Sequence, residues 1–223
     1  MYVTRPNEQI ENFLLPLRAR PVQQHHLHHI CAGKHLFHEG QTARNIYEVV
    51  KGVLRLTRVM ADGRRQVIAF GYPGDVVGFH SDDEYHTDCD ALLSTTVIVH
   101  SRSALESPAG NSALHTKLLQ AALHEISAMQ DHFLMLGRKS AAERVASFLL
   151  TLQERVGMPL GQFTQFDLPM SRSDIADFLG MTTETVCRTL TRLRKLNIIA
   201  LDRVHTVVIL KPEALIKEAE GRD

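Results

Sequence analysis

The spacing of apolar residues changes near Pro108, and this change constrains the fold of the chain more than any other feature. Between residues 33 and 106, short runs such as 53–59 and 66–70 alternate apolar with polar side chains, and glycines separate them. A period near two with frequent turns is typical of short antiparallel strands in a β-barrel or jelly roll. After Pro108, apolar residues recur every three or four positions, as in amphipathic helices. The sequence therefore predicts an α+β chain whose strands come first.

A dipeptide between two of the strand-like runs predicts how they are joined. Asp62-Gly63 lies between the runs 53–59 and 66–70. Asp-Gly at such a place is a strong signal for a tight hairpin in which both turn residues adopt positive φ angles. We therefore expect a β-hairpin here, as part of a small β-roll.

One apolar stripe predicts a long helix after the strands. The helix is expected over residues 112–136, about 37 Å at about 1.5 Å per residue, and Gly137 should interrupt it. The stripe repeats every three or four residues and consists of Leu118, Ala122, Ile126, Met129, Phe133 and Leu136. Such a helix either pairs with its copy in a homodimer or packs on the strands. Leu119 and Leu123 make the apolar face wide enough for both, and we favour the homodimer.

The C-terminal part carries the signals of two short helices joined by a tight turn. Ser171 followed by Asp174 resembles a capping box, with Asp in place of Glu or Gln, so a helix should begin near residue 172. Gly180 can end a helix in the left-handed conformation, and Thr182 is a good N-cap for the next helix. A helix-turn-helix also needs a close crossing, a turn and a core residue, which fall on Ala176, Gly180 and Val186. An ordinary helical hairpin is the alternative.

Two more strand-like runs, at 196–201 and 206–210, follow the second of these helices. With a tight turn between them they would form the wing of a winged helix-turn-helix. Together the patterns predict a β-roll domain at residues 1–110, a dimerisation helix at 111–138 and a winged helix-turn-helix domain at 139–223.

The charges of the chain are balanced overall but not locally. Lys and Arg number 25, as do Asp and Glu, so the net charge is zero, whereas proteins that bind nucleic acid usually carry a basic surface. Between residues 183 and 195, however, four basic residues accompany one acidic residue. At the start of a recognition helix, Arg188 could donate two hydrogen bonds to guanine and Glu184 could accept one from cytosine. The alternative for this pair is a surface ion pair worth less than about 1 kcal/mol.

The order of β-roll, long helix and winged helix-turn-helix resembles the Crp/Fnr family of bacterial transcription regulators. The resemblance covers about residues 30 to 210. Its motifs are Gly33-x-x-Leu36-Phe37-x-Glu39-Gly40, Tyr47-x-Val49-x-x-Gly52, Asp62-Gly63-Arg64-Arg65, Pro73-Gly74-Asp75-Val76-Val77-Gly78 and Glu184-Thr185-Val186-Cys187-Arg188. The run from Leu168 to Asp177 and the absence of cofactor ligands place it nearest the FixK-like branch.

This resemblance implies a cyclic-nucleotide-binding-like β-roll and a homodimer that binds a palindromic TTGA-type promoter site. It implies an activator that works with RNA polymerase on respiratory or low-oxygen genes. The residues expected to read bases are Thr183, Glu184, Cys187 and Arg188. Those expected to contact phosphates are Ser171, Arg172, Thr182, Thr185 and Arg192. Fnr-like members carry Ser where this chain has Cys187.

The usual effectors of the family match these residues poorly. Members that bind a cyclic nucleotide carry Gly-Glu and Arg-Ser pairs after the Pro-Gly-Asp motif. Here those places hold Phe79 and about Tyr85-His86, and no Arg lies between residues 65 and 102. Members with an Fe–S cluster need four Cys ligands, and of the three Cys in this chain only Cys31 lies in the first eighty residues. We therefore expect a regulator without a cofactor.

A histidine-rich segment provides an alternative. Residues 25–31 contain four His and one Cys, and His35 and His38 follow. On a helix, His25 would share a face with His28 or His29, as zinc or nickel ligands do, and His can also bind haem. The alternative is therefore a metal- or haem-dependent sensor that uses the His25–His38 cluster, against the simpler interpretation of a solvated helix.

Cys187 is a candidate for redox control. It lies in the first turns of the expected recognition helix, beside Arg188, where the helix dipole favours an anion. Oxidation there would add bulk and polarity at the DNA-facing surface. The other interpretation is a small neutral contact in the groove.

Other classes of protein are disfavoured. A cupin-type metal enzyme needs clustered His ligands, whereas the strand region beyond the histidine-rich segment holds only His80, His86 and His100, without His-x-His spacing. No apolar run reaches the roughly 18 residues that span a bilayer, and the first twenty residues lack the pattern of a secretory signal. We therefore expect a cytoplasmic protein that is neither an enzyme nor bound to a membrane.

Overall fold

The computed structural model describes residues 26–107, 111–202 and 205–221. These residues form an N-terminal β-roll, a long helix and a C-terminal winged helix-turn-helix, which confirms the expected α+β fold. The expected domain limit at residue 110 falls in the segment 108–110, outside the described residues.

The described part of the β-roll consists of two four-stranded antiparallel sheets. Its strands are β1 (Leu27–Ile30), β2 (His35–Phe37), β3 (Asn45–Lys51), β4 (Leu54–Val59), β5 (Arg65–Gly71), β6 (Val76–Val77), β7 (Asp88–Ala91) and β8 (Thr95–Ser101). One sheet has the order β1-β8-β3-β6 and the other β2-β7-β4-β5. Alternate side chains of both sheets point inward and form one core, in which the ring of Phe37 stacks on that of Tyr85 at 3.9 Å between centroids.

The expected hairpin joins β4 to β5, but its turn differs from the expectation. Only Gly63 adopts a positive φ, of 81°, and the prediction of a positive φ at Asp62 is wrong. The turn is longer than two residues, because the Met60 N–H donates to the Arg64 carbonyl at 2.8 Å and the Gly63 N–H donates to the Met60 carbonyl at 2.9 Å. Asp62 instead accepts hydrogen bonds from the backbone and side chain of Arg64.

A short helix, α1 (Ser103–Glu106), leads to the long helix α2 (Ser112–Arg138). The helix passes through Gly137, so the expected interruption there is wrong. The early turns of α2 pack on the β-roll, where Leu118 is fully buried with Ile46 and Val76.

An ion pair strengthens this packing of α2. The Lys117 ammonium donates to Glu48 of β3 at 2.6 Å, and the His100 ring lies 3.0 Å from the other Glu48 oxygen. These contacts, led by the hydrogen bond with His100, lower the pKa of Glu48 to about 2.

The later turns of α2 leave a wide apolar surface uncovered in the monomer. The exposed apolar side chains are Leu119, Leu123, Ile126, Met129, Phe133 and Leu134. The early turns of α2 thus pack on strands, as one interpretation of the stripe expected. The later turns keep an exposed apolar face, although His132 on their other side stacks on Phe178 of α4.

The C-terminal part comprises α3 (Ala141–Val156), β9 (Met158–Leu160), β10 (Phe163–Asp167), α4 (Arg172–Leu179), α5 (Thr183–Lys195), β11 (Ile199–Asp202), β12 (Thr206–Ile209) and α6 (Pro212–Glu220). Its strands form an antiparallel sheet of order β11-β12-β10-β9, and β11 with β12 is the expected wing. Val53 and Tyr72 of the β-roll lie in the same buried cluster as the helices of this part. The β-roll and the C-terminal part therefore share one buried core.

Candidate nucleic-acid interface

Helix α4 begins as the sequence predicts. The Ser171 hydroxyl accepts from the Asp174 N–H at 3.0 Å, and the Asp174 carboxylate accepts from the Ser171 N–H at 3.0 Å. This is a complete capping box, and it fixes the direction of α4. Gly180 ends the helix at φ 61° and ψ 46°, a left-handed conformation that glycine adopts at little cost.

Helix α5 begins at Thr183, three residues after Gly180. The Thr182 hydroxyl accepts from the Thr185 N–H at 3.2 Å, as an N-cap does. The buried face of α5 consists of Val186, Thr189, Leu190 and Leu193. The apolar face holds α5 against α4, while the opposite face stays open to solvent.

The four residues expected to read bases share this open face. Thr183, Glu184, Cys187 and Arg188 are all exposed. The Arg188 guanidinium lies 3.8 Å from the Glu184 carboxylate, and the two side chains are 71% and 86% exposed. Such a loose, hydrated ion pair contributes little to stability and can open at little cost when a partner arrives.

The residues expected to contact phosphates are in several different environments. Ser171, Thr182 and Thr185 use their hydroxyls in the two helix caps. Arg192 forms an ion pair with Glu218 of α6.

Arg172 of α4 lies near enough to Cys187 of α5 for the two side chains to interact electrostatically. Burial lowers the pKa of Arg172, and the charge of Cys187 acts in the opposite direction. The structure therefore brings the predicted phosphate and redox residues close together.

Sequence reasoning missed a cluster of ion pairs that joins α4 to the β-roll. We call Arg55, Arg65, Asp90, Asp174 and Asp177 the interdomain cluster. Arg55 donates to Asp174 at 2.6 Å and to Asp90 at 2.9 Å; Arg65 donates to Asp174 at 2.6 Å and to Asp177 at 2.8 Å. Arg65 and its partners Asp174 and Asp177 belong to separate sequence motifs, and nothing local connects them because they lie 109 and 112 residues apart.

Asp174 is the centre of the interdomain cluster. Its side chain is only 4% exposed. Burial alone would raise the pKa of Asp174, but hydrogen bonds from Ser171 and the charge of Arg55 bring it below the usual value. The residue that caps α4 thus also ties that helix to the β-roll.

A second missed residue, Arg144 of α3, holds the end of α2 beside the end of α4. Its guanidinium donates to the Leu136 carbonyl at 2.8 Å, the Lys139 carbonyl at 2.9 Å and the Leu179 carbonyl at 3.0 Å. The last carbonyls of a helix have no partner within the helix, so one cation here satisfies two helix ends.

The places where related proteins hold a cyclic nucleotide carry aromatic side chains. Phe79 packs against the buried cluster of Ile46, Val76 and Leu118. Tyr85 is buried on Phe37 and donates its hydroxyl hydrogen to the Asn45 carbonyl at 2.8 Å. These side chains belong to the core and to its packing on α2.

The histidine-rich segment is a strand, and the expectation of a helix is wrong. His28 and His29 lie in β1, paired with Val97 and Thr96 of β8, and His25 lies outside the described residues. Neighbours in a strand point to opposite faces, so the helical ligand spacing does not apply. Of the three Cys residues, Cys31 and Cys187 are exposed, and burial of Cys89 in the β-roll raises the pKa of its thiol.

Within the residues that the structure describes, no helix is both long enough and apolar enough to cross a membrane.

Comparison with known proteins connects both halves of the chain to regulators. The model of the cyclic nucleotide-binding domain matches residues 27–108, and that of the Crp-like helix-turn-helix domain matches residues 143–218. The chain is 38% identical to the nitrogen fixation regulation protein FixK of Rhizobium meliloti over 183 residues, 82% of each protein. It is 42% identical to FixK of Azorhizobium caulinodans over 182 residues, 81% of this chain and 73% of the relative.

Two further similarities extend this finding. The transcriptional activatory protein AadR of Rhodopseudomonas palustris is 38% identical over 167 residues, 74% of this chain and 70% of the relative. The solved structure of FixK2 from Bradyrhizobium japonicum superposes with a TM-score of 0.77 at 35% identity, covering 86% of this chain and 95% of that one. The matched relatives are transcription regulators rather than enzymes.

Proposed function

The chain belongs to the Crp/Fnr family of transcription regulators, on its FixK-like branch, and from this premise we propose that it is an activator that binds a palindromic TTGA-type promoter site as a homodimer. It acts in the cytoplasm, where promoter DNA lies, and it needs no cofactor to bind. The name of one relative, a transcriptional activatory protein, supports activation. Contact with RNA polymerase is part of the same proposal.

The observation that carries the proposal is the open face of α5. Thr183, Glu184, Cys187 and Arg188 are exposed on the first turns of a helix whose other face is buried. Recognition helices read base edges in the major groove with these turns. With α5 in the major groove, Arg188 donates to guanine and Glu184 accepts from cytosine. Ser171, Arg172, Thr182, Thr185 and Arg192 contact the flanking phosphates, for which Arg192 must exchange Glu218 for phosphate.

The exposed apolar surface on the later turns of α2 supports the homodimer. Phe133 is 80% exposed, and three aliphatic or Met side chains on the same surface, Leu123, Ile126 and Met129, are more than half exposed. Large apolar patches of this kind on soluble proteins mark interaction sites. As part of this proposal, we divide the chain into residues 1–110, 111–138 and 139–223. The apolar surface then belongs to the middle segment, between the two regions that the family models match.

Binding of duplexes by reduced, metal-free protein tests the proposal. We expect fluorescence anisotropy to show strong binding to a duplex with two inverted TTGA-type half-sites. Binding to a duplex with one half-site scrambled should be much weaker, because each subunit supplies one recognition helix. Equal affinity for both duplexes and for unrelated DNA would contradict the proposal.

We also propose that oxidation of Cys187 weakens DNA binding. The thiol is exposed on the base-reading face, with Arg172 beside it. A sulfenic acid or mixed disulfide there adds bulk where α5 must approach the bases. Peroxide should therefore reduce the affinity of the wild-type protein in the anisotropy assay severalfold, and Cys187→Ser should resist it. Cys31→Ser is the matched control, since Cys31 is also exposed; equal sensitivity of all three proteins would contradict the proposal.

A further inference from the structure

Two histidines and an aspartate meet on the outer face of the β-roll, away from α5. His35 lies in β2, His38 follows that strand directly, and Asp88 begins β7. One possible ligand atom from each side chain lies within 4.8 Å of the other two. Both histidines are exposed and Asp88 is half-buried, so a dissolved ion can reach all three.

A β-bulge puts the two histidines on the same face. Residues three apart in a regular strand point to opposite faces. Here the pairing of β2 with β7 shifts, so that His35 lies opposite Asp90 while Phe37 lies opposite Cys89. The bulge keeps Phe37 in the core and leaves both histidines outside, where their rings stack at 4.2 Å between centroids. Bulges commonly re-aim side chains in this way.

The separation of the donor atoms fits a small tetrahedral cation. His38 Nδ1 and Asp88 Oδ1 are 3.2 Å apart. Two ligands each about 2.0–2.1 Å from a tetrahedral zinc ion are about 3.4 Å from one another. A metal ion can therefore take the place of the hydrogen between these two atoms, while the neutral His38 ring keeps its one proton on Nε2.

Hydrogen bonds already orient the Asp88 side chain and the backbone of His38. The Glu39 N–H donates to Asp88 Oδ1 at 3.0 Å, and the His38 N–H donates to Gln41 Oε1 at 3.0 Å. Outer contacts of this kind orient metal ligands and strengthen binding.

We propose that His35, His38 and Asp88 bind a divalent transition-metal ion of the zinc class, with water as the fourth ligand. Two imidazoles, one carboxylate and an open position form a donor set that zinc uses in proteins. The ion joins β2 to β7 and so stabilises the β-roll. The site is separate from the DNA-binding face, and its test does not depend on the proposed function.

Zinc titration of untagged, chelator-treated full-length protein tests the site. A chromogenic zinc chelator serves as competitor, and zinc chloride is the probe. We expect one tight equivalent per wild-type chain, and affinity at least tenfold weaker in His38→Ala and in Asp88→Asn. Zinc should also raise the melting temperature of the wild type but not of these variants. Asn keeps the acceptor for the Glu39 N–H, and equal melting temperatures without zinc will show that both variants fold.

Two controls make the result specific. His86→Ala removes an exposed histidine that pairs with Asp82 at 2.7 Å and belongs to no such cluster in the described residues, so zinc affinity should stay within twofold. The double variant His28→Ala/His29→Ala removes the β1 histidines and should also keep the tight equivalent. Absence of a stoichiometric site in the wild type, full affinity in His38→Ala, or loss of the site in the β1 variant would each overturn the proposal.

Discussion

Arg188 is the residue whose removal should change DNA recognition most directly. Its guanidinium is exposed on the open face of α5, and among the described residues it makes a loose contact with Glu184. Loss of a bidentate contact with guanine costs about 1–3 kcal/mol. Arg188→Ala should therefore bind the palindromic duplex about 5- to 150-fold more weakly and discriminate less at one guanine. A gel-shift titration with matched and guanine-substituted duplexes measures both effects.

The control for this variant is Arg194→Ala, on the same helix. Arg194 is exposed but lies in the last turn of α5. Its removal should weaken binding to all duplexes alike, as loss of general attraction to phosphates does. Unchanged discrimination in Arg188→Ala, or the same pattern in both variants, would show that Arg188 does not read a base.

Glu125 of α2 gives the protein an unusual pH dependence. Burial, assisted by the charge of Asp75, raises the pKa of Glu125 to about 7. A raised pKa means that the folded state holds a proton that the unfolded state releases near pH 4.3, about the value for free Glu. This contribution to stability is fully present below that pH and is lost as the pH rises through 7.

Glu125→Gln should remove this pH-dependent loss of stability, because Gln resembles the protonated acid and does not titrate. We expect its melting temperature to exceed that of the wild type by a few degrees at pH 8 and by much less at pH 5. Glu154→Gln, at an exposed position on α3, is the control and should change little at either pH. The same melting difference at both pH values for Glu125→Gln would contradict the account.

At the scale of elements, the interdomain cluster fixes α4 against the β4–β5 hairpin. Arg55→Ala leaves Asp90 without its partner and Asp174 with one arginine fewer, and both aspartates are buried. Removal of one partner from a buried ion pair typically costs about 3–5 kcal/mol. We expect a loss near the lower end, about 3 kcal/mol, in the free energy of unfolding by urea.

Arg64 provides the matched control on the same hairpin. It pairs with Asp62 at 2.7 Å in an exposed position, where an ion pair is worth about 1 kcal/mol or less. Arg64→Ala should therefore have a small effect. If both substitutions cost the same, the cluster does not hold the two domains together.

Local elements were predictable from the sequence, and contacts between distant elements were not. The caps of α4 and α5 each depend on residues three apart, such as Ser171 and Asp174, so their signals lie in one short stretch. The Arg55–Asp174 pair joins residues 119 apart and leaves no periodic signal. The histidine-rich segment was mistaken for a helix because short polar runs lack a period, and pairing with β8 decides its conformation.

The same distinction applies to the candidate sites. Thr183, Glu184, Cys187 and Arg188 were found because a helix face follows from spacing alone. Asp88 could not be predicted as a companion of His38, because the two residues are 50 apart in the sequence and only the pairing of β2 with β7, with its bulge, brings them together.

At the scale of the whole molecule, the account requires two copies of the chain. Phe133→Glu puts a charge at the most exposed residue of the apolar surface of α2. We expect this variant to sediment as a monomer and to lose most of its affinity for the palindromic duplex. His124→Glu introduces the same side chain at an exposed position of α2 whose neighbours one turn on, Ser127 and Ala128, lie outside the apolar surface, and it should stay dimeric. A dimeric Phe133→Glu would place the interface elsewhere.

The zero net charge of the chain agrees with a requirement for two copies on the DNA. Positive charge is concentrated in α5, which carries four basic residues and one acidic residue. One such helix gives modest general attraction to DNA, so tight binding depends on two helices reading two half-sites.

A footprint on promoter DNA with reduced, metal-free wild-type protein tests this central claim most directly. The account predicts protection that is symmetric about a two-fold axis, with two TTGA-type half-sites separated by about one helical turn, roughly 34–36 Å between centres. Protection of a single half-site, protection without sequence preference, or none until a cofactor is added would contradict it.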